Sequence, residues 1–245
     1  MDPSVLTVYE SPFPKIRLGK QYDGGYILVE LPNPKYSVLL SGGILNDISF
    51  ETDFCKKYIT KCFAFDGSID KLPALNNNIT FVKKFIGSHN DASYTDLTEY
   101  ISKYKNIFVK MDIEGGEIPW LNTLDEKYIN KFEQICIEFH EPFSNTEIPV
   151  FDKLNRSHYL IHFHGNNCLG TRIHNGVKIP NVFECTYLHK KYFIKPPFLN
   201  SICIPSSLDM RNVVGKAEIF LSEPPFVNER HKPKRKNPFY KMILK

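Results

Sequence analysis

The sequence predicts an α/β fold with a doubly wound, mostly parallel seven-stranded sheet and helices on both faces. Strand-like apolar segments alternate with segments of helical periodicity over about 130 residues, an order typical of open parallel sheets. Several of these strands end on glycine or acidic residues, as at Gly43, Asp66 and Asp112. Ligands of such sheets bind at the carboxyl ends of the strands, so these residues are the first candidates for a functional site.

Runs of β-branched, leucine and aromatic residues predict the strands, and apolar residues at helical spacing predict the helices. Ser93 or Thr95 is the expected N-cap of the second helix. The predicted strands lie within residues 26–31, 35–43, 61–68, 79–86, 106–117, 132–142, the second half of 151–167, 182–188 and 201–205. The predicted helices lie within residues 46–58, 93–104, 117–132 and the first half of 151–167.

The positive charge of the chain is concentrated at its C-terminal end. The 245 residues have a net charge of +4, whereas residues 229–245 contain seven lysines and arginines and one glutamate. We therefore expect one domain over residues 1–228 and a basic tail over residues 229–245. Such a tail either is solvated or binds anions such as nucleic acid. No apolar run approaches the roughly 20 residues that span a bilayer, so no membrane span is expected.

The six cysteines are irregularly spaced and form no C-x-x-C pair. Cys62, Cys136 and Cys203 lie in apolar, strand-like runs, which favours free, buried thiols over a zinc site. Free thiols indicate a reducing compartment, and the N-terminus lacks the basic-then-apolar pattern of a signal peptide. We therefore expect a cytoplasmic protein, and the sequence does not indicate its oligomeric state.

A glycine pair and an acidic residue end the first two core strands. Gly42 and Gly43 allow the backbone to approach a ligand closely, and Asp66 follows Gly43 by 23 residues. An acidic residue at about this distance from a glycine-rich turn usually binds ribose hydroxyls, which predicts an adenosine-containing ligand. The pattern fits neither G-x-G-x-x-G nor the phosphate-binding G-x-x-x-x-G-K-[ST], which disfavours NAD and nucleoside triphosphates.

Acidic side chains and a histidine end the next two strands. Asp112 and Glu114 are two residues apart, as are Glu138 and His140, so each pair shares a face of its strand. Because these strands are neighbours in a doubly wound sheet, we expect Asp112, Glu138 and His140 to converge. Such a cluster suits either a divalent cation or a general base that acts near neutral pH.

A histidine- and asparagine-rich segment follows on the sixth strand. His162 and His164 are two residues apart, but two histidines without a third ligand make a zinc centre improbable. Hydrogen bonding to a substrate by His164, Asn166 or Asn167 is the favoured interpretation.

The order of these motifs resembles that of the FkbM-type methyltransferases, a branch of the class I enzymes that use S-adenosylmethionine. The K-x-D-x-E-G-x-E segment is the most specific of the motifs. The resemblance covers residues 17–170 and rests on RLGKQYDGGY (17–26), SGGILNDISFE (41–51), FAFDGSI (63–69), SYTDLTEYI (93–101), VKMDIEGGE (109–117), ICIEFHE (135–141) and HFHGNN (162–167).

The resemblance implies S-adenosylmethionine as methyl donor. It places Gly42 and Gly43 beneath the methionine part, Asp66 on the ribose hydroxyls, Ser88 by the adenine and Asp112 near the sulfonium. The expected cofactor-binding residues are Ser41, Gly42, Gly43, Asp47, Asp66, Gly67, Ser88 and Asp112.

One position departs from the family pattern. An acidic residue often stands where this chain has Ser41, which weakens the expected contact to the amino group of the donor. Asp47 or Asp23 is then expected to supply that contact.

The implied reaction is O-methylation of a sugar or glycan hydroxyl, with Asp112, Glu138 and His140 as catalytic residues. The same three residues are the expected ligands if Mg²⁺ or Mn²⁺ assists the transfer. The expected substrate-binding residues are Asp23, Tyr26, Glu114, His164, Asn166 and Asn167. Two other functions stay open, namely RNA methylation, supported by the basic tail, and a non-catalytic module that binds a partner.

Overall fold

The computed structural model describes residues 2–142 and 148–228, and the expected basic tail over residues 229–245 lies outside them. The strands are β1 (Lys15–Gly19), β2 (Gly25–Val29), β3 (Val38–Gly42), β4 (Cys62–Phe65), β5 (Ile79–Val82), β6 (Phe85–Ile86), β7 (Tyr94–Thr95), β8 (Ile107–Met111), β9 (Phe132–His140), β10 (His158–His174) and β11 (Val177–His189). The α-helices are α1 (Ser49–Tyr58), α2 (Thr98–Lys103), α3 (Glu117–Thr123), α4 (Glu126–Ile129) and α5 (Ile148–Ser157).

Seven strands form the main sheet, in the order β10-β11-β9-β8-β3-β4-β5. Strands β5, β4, β3, β8 and β9 are parallel, whereas β11 is antiparallel to both of its neighbours. The fold is therefore a mixed α/β fold with a mostly parallel seven-stranded sheet, which is compatible with a Rossmann-like architecture. From β3 the chain proceeds outward to β4 and β5, then returns to β8 on the other side of β3, so the strand order reverses between β3 and β8.

Both faces of the central strands are buried. Along β8, Val109 and Met111 belong to one apolar cluster and Phe108 belongs to another, as the alternation of side chains across a strand requires. The first cluster includes Trp120 of α3, and the second includes Phe54 of α1 together with apolar residues of the β1–β2 hairpin. Burial on both faces explains why these strands are continuously apolar in sequence.

Several predicted elements differ from the structure. Residues 79–86 form two strands, because the chain turns after Val82. The expected strand at 201–205 is wrong, since this segment makes only a single bridge between Ile204 and Leu221. The helix expected over 93–104 starts at Thr98, and Asp96 accepts the Thr98 N–H at 2.9 Å in place of the expected caps. The helix expected over 117–132 is interrupted at Leu124, whose backbone is extended.

All six cysteines are free, as predicted, but they are not all buried. Cys203 is exposed because its segment runs outside the sheet, and Cys168 is half-buried. Cys55, Cys62, Cys136 and Cys185 are buried. None of the helices within residues 2–142 and 148–228 has the length and apolar character that spanning a bilayer requires.

A buried glutamine attaches the N-terminal hairpin to the main sheet. The β1–β2 hairpin forms its own two-stranded sheet, and β2 packs against β9. Gln134 of β9 is fully buried and accepts a hydrogen bond from Val29 N at 2.8 Å. Its amide nitrogen donates to Val29 O at 2.9 Å and to the Tyr36 hydroxyl at 2.6 Å. These bonds attach the open end of the hairpin to β9, while its turn is held by α1 through Gly19 N to Asp53 at 3.1 Å and Lys20 N to Ser49 at 2.8 Å.

Replacement of this glutamine by an isosteric apolar residue is expected to destabilise the fold. Gln134→Leu leaves the buried N–H of Val29 unpaired, at a cost of about 1–3 kcal/mol, whereas the carbonyl of Val29 keeps the hydrogen bond from Leu31 N at 3.1 Å. We expect the free energy of unfolding, measured by urea denaturation, to fall by about 1–3 kcal/mol. The matched surface control Lys127→Ala should change it by less than about 0.5 kcal/mol. An equally stable Gln134→Leu protein would contradict this role of the amide.

Candidate functional site

A cavity of about 420 Å³ lies at the carboxyl ends of β3, β4 and β8, beside the point of strand-order reversal. Its size falls within the range of small-molecule sites. The sequence-predicted residues that line it are Asp23, Tyr26, Gly43, Asp47, Asp66, Gly67, Asp112 and Glu114. The predicted residues outside its lining are Ser41, Gly42, Ser88, Glu138, His140, His164, Asn166 and Asn167.

The glycine turn after β3 is shaped by close contact with the end of β8. Gly43 has φ +71°, and a Cβ atom there would lie 1.5 Å from the carbonyl oxygen of Asp112. A side chain at this position is therefore excluded both by backbone conformation and by space. A Cβ atom at Gly67 would similarly lie 2.4 Å from the Phe85 ring. The cavity is thus formed where backbone segments after three strands approach one another.

Asp66 closes the glycine turn from the end of β4. Its Oδ2 accepts the N–H groups of Ile44 at 3.2 Å and Leu45 at 2.8 Å, and its Oδ1 accepts the N–H and hydroxyl of Ser68 at 2.8 and 2.6 Å. Desolvation alone raises the pKa of this carboxyl, but the bonds from Ser68, Leu45 and Ile44 together lower it. Four bonds engage about all the acceptor sites of a carboxylate, so the predicted ribose contact would compete with the turn.

Asp47, one of the two acids expected near the donor's amino group, is already bonded within the protein. Asp47 accepts the N–H and hydroxyl of Ser49, each at 3.0 Å, and its Oδ2 lies 3.3 Å from the Lys20 ammonium. Ser41 is buried, and its hydroxyl donates to Glu51 of α1 at 2.5 Å. Glu51, which sequence reasoning missed, lines the cavity. Desolvation raises the pKa of Glu51, although the charge of Lys110 and the bond from Ser41 oppose the shift.

The loop after β5 contributes apolar residues rather than the predicted serine. Phe85 and Ile86 line the cavity, whereas Ser88 is exposed outside it. Phe85 is itself partly exposed and packs against Tyr94, with ring centroids 5.5 Å apart. The sequence predicts only a strand for Phe85 and Ile86, and their contact with the cavity depends on tertiary packing.

The predicted acid–histidine cluster is assembled at the ends of β8 and β9. His140 Nε2 lies 3.8 Å from Asp112 Oδ1, 3.4 Å from Glu114 Oε2 and 3.9 Å from Glu138 Oε1. Tyr26 of the N-terminal hairpin donates its hydroxyl to Asp112 Oδ2 at 2.7 Å, so the two oxygens of Asp112 face different partners. The ligand atoms of Asp112, Glu114 and His140 all lie within 4.8 Å of one another.

Glu117 orients this cluster, and it was not among the predicted site residues. Its side chain is buried, with Oε1 accepting Ile113 N at 2.8 Å and Oε2 accepting Gly115 N at 3.0 Å. Glu117 Oε1 also lies 3.3 Å from His140 Nδ1. The carboxylate therefore holds the loop after β8 and favours the tautomer in which His140 Nδ1 carries the proton. Glu117 is the last residue of the K-x-D-x-E-G-x-E motif, so the sequence marks it as part of an acidic strand end. Its contact with His140 depends on the tertiary structure.

The neighbours of the cluster shift its acid–base properties. Burial alone lowers the pKa of His140, but Glu117, Asp112 and Glu114 outweigh burial and raise it. Desolvation raises the pKa of Glu138 well above its usual range, and the charges of Asp112 and Glu184 raise it further. Both shifts favour the protonated forms of these side chains.

The polar residues of the sixth predicted strand bind protein groups. Asn166 Nδ2 donates to Glu138 Oε1 at 2.7 Å. Asn167 accepts Val213 N at 2.8 Å and donates to the carbonyls of Val213 and Lys216 at 2.9 and 3.1 Å. Asn167 thereby holds the loop that follows β11 against the sheet. Substrate binding by these residues stays a prediction, and their contacts do not point toward the cavity.

His164 is buried between Glu184 and Glu218, whose oxygens lie 3.7 and 3.5 Å from its ring nitrogens. Burial alone lowers the pKa of His164, but the two carboxylates raise it to about 10. A pKa above the unfolded value of about 6.5 means that the charged ring stabilises the fold below that pH. The stabilisation is lost as the pH rises from about 6.5 through 10.

The stability of the protein is therefore expected to depend on this ring above neutral pH. Between pH 6.5 and 9.5, wild-type protein should lose at least about 1.4 kcal/mol of unfolding free energy relative to His164→Gln, the equivalent of one pKa unit. Urea denaturation across this range measures the difference. His89→Gln, at an exposed histidine, should follow the wild-type profile. Parallel profiles for wild type and His164→Gln would contradict the assignment.

Comparisons with known proteins do not place the chain in a family. No protein-family model matches the sequence, and no curated protein matches it either.

Proposed function

We propose that this protein is a class I S-adenosylmethionine-dependent O-methyltransferase that acts on a hydroxyl of a sugar or glycan. The observation that carries the proposal is the cavity of about 420 Å³ at the strand-order reversal, between the glycine turn, Asp66 and Asp112, with a histidine base beside it. The doubly wound arrangement with helices on both faces, the FkbM-type resemblance and a cytoplasmic location are parts of the same proposal.

The lining of the cavity fits the chemistry of the donor. Phe85 and Ile86 offer apolar surface for a flat base, and the Gly43 turn leaves room for a chain passing beneath it. Acidic groups at Asp112 and Glu51 suit the positive sulfonium and ammonium of the donor. S-Adenosylmethionine supplies an activated methyl group when bound, so the protein has only to align the acceptor and remove its proton.

In this proposal His140 is the base that accepts the acceptor's proton. Glu117 fixes Nδ1, which leaves Nε2 directed toward Asp112 and Glu114 at the cavity side. The raised pKa of His140 makes the proton transfer more favourable. As the carbon–oxygen bond forms and the carbon–sulfur bond breaks, the sulfur retains the electron pair and Nε2 takes the hydroxyl proton. Tyr26 keeps Asp112 oriented through its 2.7 Å hydrogen bond.

A divalent cation is the alternative use of the same residues. Asp112, Glu114 and His140 present two oxygens and one nitrogen within 4.8 Å, which suits Mg²⁺ or Mn²⁺ more than zinc. This set contains Glu114 where the sequence predicted Glu138, which is held by Asn166 instead. A bound ion would occupy His140 Nε2, so the base role and the ligand role exclude each other.

The proposed acceptor is polyhydroxylated because the cavity mouth offers carboxylate acceptors for hydroxyl groups. Asp23 and Glu114 both line the cavity, and the Glu114 side chain is 86 % exposed. The Tyr26 ring lies beside them and packs edge-on against Phe50. Hydrogen-bonding carboxylates next to an aromatic ring are a suitable combination for a sugar.

Calorimetric titration of S-adenosylmethionine and S-adenosylhomocysteine tests the donor site. We expect binding in the micromolar range by wild type and at least about tenfold weaker binding by Asp66→Ala, because the loss of its charge-assisted bonds releases the glycine turn. The control Asp70→Ala removes an exposed acid four residues away and should bind like wild type. Absence of binding by folded wild type would eliminate the methyltransferase proposal.

The catalytic cluster is tested by methyl transfer to a panel of deoxy sugars and glycans. His140→Gln should lower the rate about 10²- to 10⁴-fold, the usual contribution of a general base, while the affinity for S-adenosylhomocysteine changes little. Full activity after exhaustive EDTA treatment would support the base role. Loss of activity on chelation, restored by Mn²⁺ but not in Glu114→Gln, would instead support the cation. A fully active His140→Gln protein would contradict both roles.

A further inference from the structure

The inner end of the cavity contains a carboxylate that no sequence motif indicated. Glu51 of α1 is only 1 % exposed, yet its side chain lines the cavity beside the end of β3. Ser41 donates its hydroxyl to Glu51 Oε1 at 2.5 Å. In the described part of the chain, Ser41 is the only other residue that donates a hydrogen bond to Glu51, and no cation lies within 4 Å of it.

The nearest lysine does not neutralise this carboxylate directly. Lys110 Nζ donates to the carbonyl of Gly43 at 2.6 Å, and its ammonium lies 5.0 Å from the centre of the Tyr26 ring. Its charge acts on Glu51 only from a distance, and burial still raises the pKa of Glu51. A buried carboxylate facing a cavity without a paired cation is costly, and a cationic group of a ligand would relieve that cost.

Other acids near the cavity are less available. Asp47 caps the start of α1 through Ser49 and pairs with Lys20. Asp66 is held by four hydrogen bonds within the glycine turn. Asp23 lies on the hairpin turn, where Asn212 approaches it at 3.4 Å. Of the two buried acids that line the cavity, Glu51 and Asp66, Glu51 thus accepts fewer hydrogen bonds from other residues.

We infer that Glu51, oriented by Ser41, binds the ammonium group of the donor's methionine moiety. This inference rests on the proposed function and identifies a contact within that site. Because the serine hydroxyl is short and neutral, it leaves space at the end of β3 for a carboxylate that arrives from α1. The acid expected on the strand is in this way supplied by the helix, and Lys20 and Lys110, which also line the cavity, complement the carboxylate of the methionine moiety.

Two ligands that differ in the amino-acid part isolate this contact. S-Adenosylhomocysteine carries the ammonium, whereas 5′-methylthioadenosine keeps the adenosine and thioether but lacks it. Glu51→Gln preserves side-chain volume and the capacity to accept from Ser41. By calorimetry, we expect the affinity of Glu51→Gln for S-adenosylhomocysteine to fall about tenfold to a hundredfold, the range for a lost charge-assisted hydrogen bond. Its affinity for 5′-methylthioadenosine should stay within about twofold of wild type.

Further variants complete the test. Ser41→Ala removes the hydroxyl that orients Glu51. It should lower the affinity for S-adenosylhomocysteine selectively, by a smaller factor than Glu51→Gln does. Asp47→Asn tests the competing acid, whereas the exposed Asp70→Asn is the matched control and should leave the preference for S-adenosylhomocysteine over 5′-methylthioadenosine unchanged. Thermal denaturation of each variant verifies that the fold is retained.

The outcomes separate this inference from the proposed function. If wild type binds S-adenosylhomocysteine, but Glu51→Gln lowers the affinity for both ligands equally or for neither, the role of Glu51 is overturned. The proposed donor site then stands. A selective loss of affinity for S-adenosylhomocysteine in Asp47→Asn, and not in Glu51→Gln, would also overturn this role. If wild type binds neither ligand, the proposed function and the inference fall together.

Discussion

The close approach of the backbone after β3 to the backbone after β8 is the constraint on which the site depends. Gly43 lies against the carbonyl of Asp112, where even one Cβ atom would collide, and its N–H donates to Phe65 O of β4 at 3.0 Å. Lys110 adds a bond to the Gly43 carbonyl. Three neighbouring strands are thereby tied at their carboxyl ends, so the glycine turn, Asp66 and Asp112 occupy fixed relative positions around one cavity.

Excess negative charge is the second organising feature. Acidic residues from β8, β9, α1 and α3 meet at this end of the sheet, and each is accommodated differently. Glu117 is satisfied by backbone N–H groups and His140, and Asp112 by Tyr26. Burial and neighbouring charges raise the pKa of Glu138 well above its usual range, which favours its neutral form. These distinct environments give similar carboxyl groups different hydrogen-bond partners and different pKa values.

Segments outside the main sheet complete the site. The β1–β2 hairpin, attached through Gln134, brings Asp23 and Tyr26 to the cavity. The chain after β11 is held from the other side by Asn167 and by Asp209, which accepts from Ser206 N at 2.6 Å and lies 2.8 Å from His162 Nε2. Burial alone raises the pKa of Asp209, but the charge and hydrogen bond of His162 lower it. Polar residues that the sequence suggested as substrate contacts thus serve to attach this segment.

The sequence by itself determined the α/β sheet and the edge of that sheet at which the cavity lies. Strand ends are local features, so the glycine pair, Asp66, Asp112 and His140 could be read from strand-like runs and the residues that terminate them. The convergence of Asp112, Glu138 and His140 followed from the side-chain alternation of two adjacent parallel strands, and the distances between their atoms agree with it.

Only the tertiary structure decided the partners of these groups. Glu51 lies on a helix whose periodicity marks packing and not ligand contact, and its position beside Ser41 depends on how α1 crosses the sheet. Glu117 and Asn167 likewise take their roles from groups 23 and 46 residues away. Hydrogen bonds between distant segments leave no periodic trace in the sequence. Local pattern therefore specified where the candidate site lies, and the packing of non-local segments specified which groups each side chain contacts there.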